Sequence, residues 1–216
     1  MYTEYACLDY SLTEIEVRSN IDYAINHGIN NMSVLSYSVS SLKDLFSSIS
    51  LSCPLDYPYG LSDIKSRNSM TLQACKSGVK VIDMVTPNKI LANRKYDKFR
   101  DDIRSNLAIC QEHGILLRYM LEYRTFSHEI LAKVCQILRS LEIMTVLPSS
   151  GIFLDDINDN LIVCNFLHTK SGIDVICNGN VYTDKQMTNI KMADNYGLRL
   201  YNKHSLELYE KATQSS

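Results

Sequence analysis

The chain has little net charge: 22 Lys and Arg against 24 Asp and Glu leave −2. So even a balance gives no electrostatic basis for binding nucleic acid or an anionic membrane. No apolar run is long enough to cross a bilayer. Met1–Tyr10 has no basic stretch leading into an apolar core, and it carries Glu4 and Asp9, so no secretory signal is expected there. The seven cysteines (Cys7, Cys53, Cys75, Cys110, Cys135, Cys164 and Cys177) include no C-x-x-C pair, which removes the usual zinc and redox signatures. Their odd number and scatter predict reduced thiols in a cytoplasmic compartment, packed as small core hydrophobes. The five histidines (His27, His113, His128, His168, His204) lack metal-ligand spacing. His27 and His113 stand beside glycines, where a cation suits a helix end. Neither a metal nor a cofactor is expected. No linker, low-complexity segment or charge block divides the chain. One domain over 1–212, with a short tail at 213–216, is therefore expected.

What is present is a repeated local pattern. A polar residue and glycine close an amphipathic stretch, and a short apolar run follows. It occurs at Asn26-His27-Gly28, Lys76-Ser77-Gly78, Glu112-His113-Gly114, Lys170-Ser171-Gly172 and Asn195-Tyr196-Gly197. Glycine just past a helix supplies the left-handed position that closes its last turn. The runs that follow are rich in Val, Ile, Leu and Met and barely alternate, as strands buried on both faces do. The stretches between have helical spacing: Val17, Ile21 and Ala24; Phe99, Ile103, Leu107 and Cys110; Ile130, Val134, Ile137 and Leu141.

Candidate strands are Tyr5–Leu8, Met32–Ser36, Ile49–Pro54, Val79–Val85, Ile115–Leu121, Ile143–Leu147, Ile173–Cys177 and Leu198–Tyr201, with a last helix over Ser205–Ala212. Eight strands alternating with helices predict an α/β fold, a single (β/α)8 TIM barrel.

Such barrels carry their chemistry at the C-terminal strand ends. Here those ends hold Asp9, Tyr37, Asp56, Tyr57, Asp83, Glu122, Tyr123, Ser149-Ser150-Gly151, Asn178-Gly179-Asn180 and Asn202-Lys203-His204-Ser205. Asp83 lies inside the apolar run Val81–Val85, where a carboxylate must be paired or hydrogen-bonded. It reads as a pocket residue, with a structural carboxylate as the alternative. Arg118, within Leu116–Glu122, reads either as part of a fixed ion-pair network or as a binder of an anionic substrate. Ser149, Ser150 and Gly151, with Gly179 and Asn180, are candidate anion-binding turns, and Lys203 and His204 add a cation and a titratable group.

Read together, these residues resemble the deoxyribose-phosphate aldolase family along nearly the whole chain. Leu8-Asp9-Tyr10-Ser11-Leu12 is similar to the family's Leu-Asp-His-Thr-Leu, and Tyr57-Pro58-Tyr59-Gly60 to its Phe-Pro-x-Gly. Asp83-Met84-Val85 through Leu91, Tyr96, Phe99 and Asp102-Ile103 resembles its strand-four signature without a gap. Leu116–Glu122 resembles its Leu-Leu-Lys-Val-Ile-x-Glu.

The resemblance implies cleavage of deoxyribose 5-phosphate through a Schiff base on a lysine, in a Lys-Thr-x-Thr-Gly motif after strand six. Here the matching stretch is Leu147-Pro148-Ser149-Ser150-Gly151. The second family lysine, on strand seven, is matched by Ile176. Leucine cannot form an imine. The lysine after the strand-six glycine is Ile152, and the stretch after strand eight is Tyr201-Asn202-Lys203-His204.

Three functions are therefore weighed. One is a catalytically impaired or repurposed homologue that binds a small phosphorylated sugar. A second is an aldolase or lyase using a displaced lysine, Lys89, Lys203 or Lys65. A third is a barrel enzyme with Asp83 and Glu122 as acid and base and Arg118 as stabiliser. The resemblance also implies a homodimer.

Overall fold

In the computed structural model, residues 1–152, 156–193 and 195–214 are described. Among them, eight parallel strands close into a barrel in chain order, β8 pairing with β1. The strands are β1 (Tyr2–Cys7), β2 (Asn31–Val34), β3 (Ser50–Leu55), β4 (Val81–Val85), β5 (Leu116–Met120), β6 (Thr145–Leu147), β7 (Asp174–Asn178) and β8 (Gly197–Leu200). Around them run α1 (Glu14–Asn26), α2 (Ile64–Ser77), α3 (Asn88–Ala92), α4 (Tyr96–Glu112), α5 (His128–Ser140), α6 (Ile157–Ser171), α7 (Asp184–Met192) and α8 (Lys203–Gln214). Between β2 and β3 the chain forms a 3-10 segment, Ser36–Leu45, where a regular barrel has a helix.

Local chemistry explains these elements. Thr13 and Thr183 open α1 and α7 with capping boxes, and Asp63, Ser127 and Asp156 cap α2, α5 and α6. Gly28, Gly78, Gly114 and Gly172 adopt positive φ at the ends of α1, α2, α4 and α6, as the repeated pattern predicts. The fifth glycine differs. Gly197 opens β8, after α7 has ended at Met192. It is needed for close approach, because a Cβ there would stand 3.0 Å from the Tyr2 carbonyl oxygen.

The expected helical stripes face the barrel: Val17, Ile21, Ala24, Phe99, Ile103, Cys110, Val134 and Ile137 are buried, with Leu107, Ile130 and Leu141 packed at their edges. All seven cysteines are unpaired and buried. Most strand boundaries move by one to three residues, and two shifts bear on the reading. β1 begins at Tyr2, three residues before the expected start, so Glu4 lies inside a strand. Helix α8 runs through Thr213 to Gln214, so the tail expected from 213 is helical at its start; Ser215 and Ser216 lie outside the described residues. No helix among the described residues is long and apolar enough to cross a membrane.

Candidate functional site in the barrel interior and at its rim

The interior of the barrel is charged. Glu4 on β1, Asp83 on β4, Arg118 on β5 and Arg199 on β8 are all at most 2% exposed. Arg118 grips Asp83 with both arms of its fork, Nε to Oδ1 at 2.6 Å and Nη2 to Oδ2 at 3.0 Å, and Nη2 also reaches Glu4 Oε1 at 3.0 Å. Arg199 donates from Nε to Glu4 Oε2 at 2.6 Å and from Nη2 to Asp83 Oδ2 at 2.5 Å. Glu4 also accepts from Ser52 Oγ at 2.9 Å and the Tyr2 hydroxyl at 3.1 Å. β1 and β5 stand on opposite sides of the barrel, so the Arg118–Glu4 bond crosses its centre. Burial alone would push the Asp83 carboxyl up; Arg118, then Arg199, outweigh it and hold the group at about 2. Glu4 is held low by the same two guanidiniums against its burial.

Asp83 is therefore not the open pocket residue that the sequence suggests. Its oxygens are occupied by two guanidiniums, and it is fully buried. Arg118 follows the fixed-network alternative. A carboxylate so placed has neither the access nor the proton affinity of a general base at neutral pH.

Two residues further along the same strands the interior turns apolar. Side chains at i and i+2 share a strand face, so Val85 follows Asp83 and Met120 follows Arg118. These two pack with Leu147 and Ile176, all four fully buried, and Tyr2 and Tyr57 close the sides. The two positions that the resemblance matches to family lysines thus lie in a buried apolar cluster. Buried polar side chains among the described residues include arginines but no lysine. Lys65 and Lys89 are exposed.

The rim is formed by the ends of β5 to β8. Glu122, 3% exposed, accepts the Ser150 N–H at 3.1 Å. Ser149 Oγ accepts the Gly151 N–H at 2.8 Å. Asn178 Nδ2 donates to the Ser149 carbonyl and to the Tyr201 hydroxyl, each at 3.0 Å. Asn202 Nδ2 donates to Asn180 Oδ1 at 2.8 Å. Gly151, Asp156, Gly179, Asn180, Gln186 and Tyr201 border a cleft of about 340 Å³. A larger cleft, about 690 Å³, lies outside the barrel wall between the 3-10 segment, β3 and α2. Its one acidic side chain, Asp56, is already committed to Arg67 and Ser62.

The predicted rim residues divide. Glu122, Ser149, Ser150, Gly151, Gly179 and Asn180 come together. Asp9 stands apart, exposed, closing a turn on Ser11 at 2.8 Å and 2.6 Å. Lys203 points outward to α1, with Nζ 4.9 Å from the centre of the Tyr23 ring. His204 is exposed, with Nε2 3.2 Å from the Tyr182 carbonyl oxygen. Asp102, from the strand-four signature, is structural: it takes both Nε and Nη2 of buried Arg67, which also holds Asp56 and the Val85 carbonyl. Sequence reasoning missed Glu4, Arg199 and Tyr201. The signal for Arg199 was present, a charge alternating with Leu198 and Leu200 inside a strand.

No protein-family model matches the chain. It is 29% identical over 101 residues to the deoxyribose-phosphate aldolase of Mannheimia succiniciproducens, a match spanning 47% of this chain and 44% of that enzyme. Among solved structures it superposes on an aldolase designated QR15, with TM-score 0.87 and 16% identity over 99% of this chain and 95% of that one. It also superposes on the tetrameric deoxyribose phosphate aldolase of Aeropyrum pernix, with TM-score 0.82 and 13% identity over 99% of this chain and 89% of that one. The fold is that of the TIM-barrel aldolases. Over those 101 residues the chain is similar in sequence to a deoxyribose-phosphate aldolase.

Proposed function

We propose that this protein is a deoxyribose-phosphate aldolase homologue that has lost Schiff-base chemistry and retains the rim as a non-covalent site for a small phosphorylated sugar. The observation that carries this reading is the apolar cluster of Val85, Met120, Leu147 and Ile176. An imine-forming amine needs a lysine at the reacting centre, and the two positions that the resemblance gives to lysines are Leu147 and Ile176, buried among apolar side chains. The displaced-lysine reading loses support from Lys203, which points away from the barrel mouth. The carboxylate reading loses support from Asp83, whose charge is neutralised in place.

At the rim cleft a phosphate would be held by backbone N–H groups and hydroxyls around Gly151, Gly179 and Asn180, with no lysine or arginine among the described residues that line it. Asp156 at its edge opposes an anion. Affinity is therefore expected in the range of about 0.1–1 mM, near 5 kcal/mol. Calorimetric titration with deoxyribose 5-phosphate tests this. Saturable binding that leaves the sugar phosphate uncleaved is the expected result. Turnover to glyceraldehyde 3-phosphate, or no binding at millimolar ligand, contradicts the proposal.

A further inference from the structure

A further cleft, of about 250 Å³, lies at the end of the barrel opposite the rim. It is bordered by α6, the start of β7 and the turn before β8, and Cys164, His168, Asp174, Asn195 and Tyr196 line it. Asp174 is the first residue of β7, and Tyr196 immediately precedes β8. Barrel chemistry occupies the C-terminal strand ends, so this cleft lies outside the proposed sugar-phosphate site.

Three of its polar groups are not used by the fold. Asn195 Nδ2 is buried and meets no acceptor. His168 Nδ1 stands 2.9 Å from the Ile173 carbonyl oxygen, which can only accept, so Nδ1 carries the proton and Nε2 is an acceptor in the neutral ring. The half-buried Asp174 carboxylate has no hydrogen bond or ion pair among the described residues. The other two residues are committed. Cys164 Sγ donates to Asn160 Oδ1 at 3.7 Å, and the Tyr196 ring stacks on Tyr2 with centroids 6.1 Å apart. Native structures rarely leave a buried donor unmatched, and the cost is recovered when a ligand supplies the missing partner.

We infer that this cleft binds a small organic ammonium ion that carries a hydroxyl beside the amine. The donor and acceptor inventory sets the chemistry: two acceptors, one of them a carboxylate, and one donor. The ammonium group donates to Asp174 and His168, and the neighbouring hydroxyl oxygen accepts from Asn195. Charge decides against an anion, because Asp174 lines the cleft and no lysine or arginine among the described residues does. Ligand placement decides against a metal, because no three His, Cys, Asp or Glu side chains among the described residues are grouped to hold one. Volume sets the size. Sites for drug-sized molecules begin at about 300 Å³, so this cleft takes a ligand of a few carbons.

The test follows the Asn195 carboxamide and His168 imidazole signals by nitrogen-15 NMR in the intact protein. Three probes share one carbon skeleton: serinol (the aminodiol analogue of glycerol), glycerol and isopropylamine. Serinol is expected to shift both signals saturably. Glycerol, with a hydroxyl in place of the amine, is expected to leave them unmoved. Isopropylamine, which lacks the hydroxyls, is expected to bind about tenfold more weakly than serinol. Asp174→Asn, which keeps the shape, is expected to weaken serinol about tenfold. Asn195→Ala is expected to weaken serinol and to leave isopropylamine unaffected, which a merely unfolded cleft would not do. Circular dichroism checks the fold of each variant, and Asn195→Ala decides the matter if Asp174→Asn does not fold. No saturable shift with serinol, equal binding of glycerol or isopropylamine, or unchanged serinol affinity in the folded variants overturns the inference. Each of these outcomes leaves the proposed function standing, because the barrel mouth is not involved.

Discussion

Asp83 and Arg118 were visible in the sequence because each interrupts an apolar run. What they do became clear only with their partners. In the sequence Glu4 is a charge near the chain start, outside any expected strand, and Arg199 lies more than eighty residues from Arg118. A network closed across four strands has no local signature. Its energetics follow from burial: removing one member leaves the others charged and unmatched, which typically costs about 3–5 kcal/mol. Asp83→Ala is expected to lose that much stability in urea denaturation, and a loss below about 1 kcal/mol contradicts the network's role. The acid limb has a definite sign. Asp83 titrates near 3.8 when unfolded and at about 2 when folded, so its contribution is complete above 3.8 and is lost as pH falls through about 2. The wild-type protein should lose stability over this window. Asp83→Asn should lack the part of that slope due to this carboxyl, and identical slopes in the two proteins contradict the assignment.

At the scale of elements, the repeated polar-glycine-apolar pattern located most of the helix ends because left-handed backbone is a local requirement. It failed at Gly197, where the reason for glycine is contact with Tyr2 on another strand. The same distinction separates two glycines that do end helices. Both Gly78 (φ 98°) and Gly114 (φ 66°) adopt left-handed backbone. A Cβ on Gly78 would also stand 2.5 Å from the Phe46 ring, whereas nothing lies within 4 Å of one on Gly114. Gly114→Ala is expected to cost about 1 kcal/mol, from backbone strain alone. Gly78→Ala should cost more, by roughly another 1–3 kcal/mol of overpacking. Equal losses in chemical denaturation contradict this account. The 3-10 segment Ser36–Leu45 was not legible: Ser-rich stretches compete with helix for their own backbone, and tertiary contacts decided the outcome.

Across the whole molecule, the barrel interior combines a self-neutralising ion network with a hydrocarbon cluster beside it. Along β4 and β5 the two alternate, with Val85 and Met120 two residues beyond Asp83 and Arg118, while Leu147 and Ile176 join the cluster from β6 and β7. The barrel class was legible because eight apolar runs and their helices set it. Leu147 and Ile176 drew notice only through the resemblance, which matches them to the two family lysines. The barrel centre was not legible, since it is assembled from strands distant in sequence.

The most direct test of the central claim is to incubate the protein with deoxyribose 5-phosphate and, separately, with acetaldehyde, add borohydride, and weigh the intact chain. The account predicts an unchanged mass in protein shown to be folded, because no lysine among the described residues is buried in the barrel interior. A reduced adduct, absent without aldehyde and competed by excess sugar phosphate, contradicts it, and peptide mapping would then name the lysine responsible.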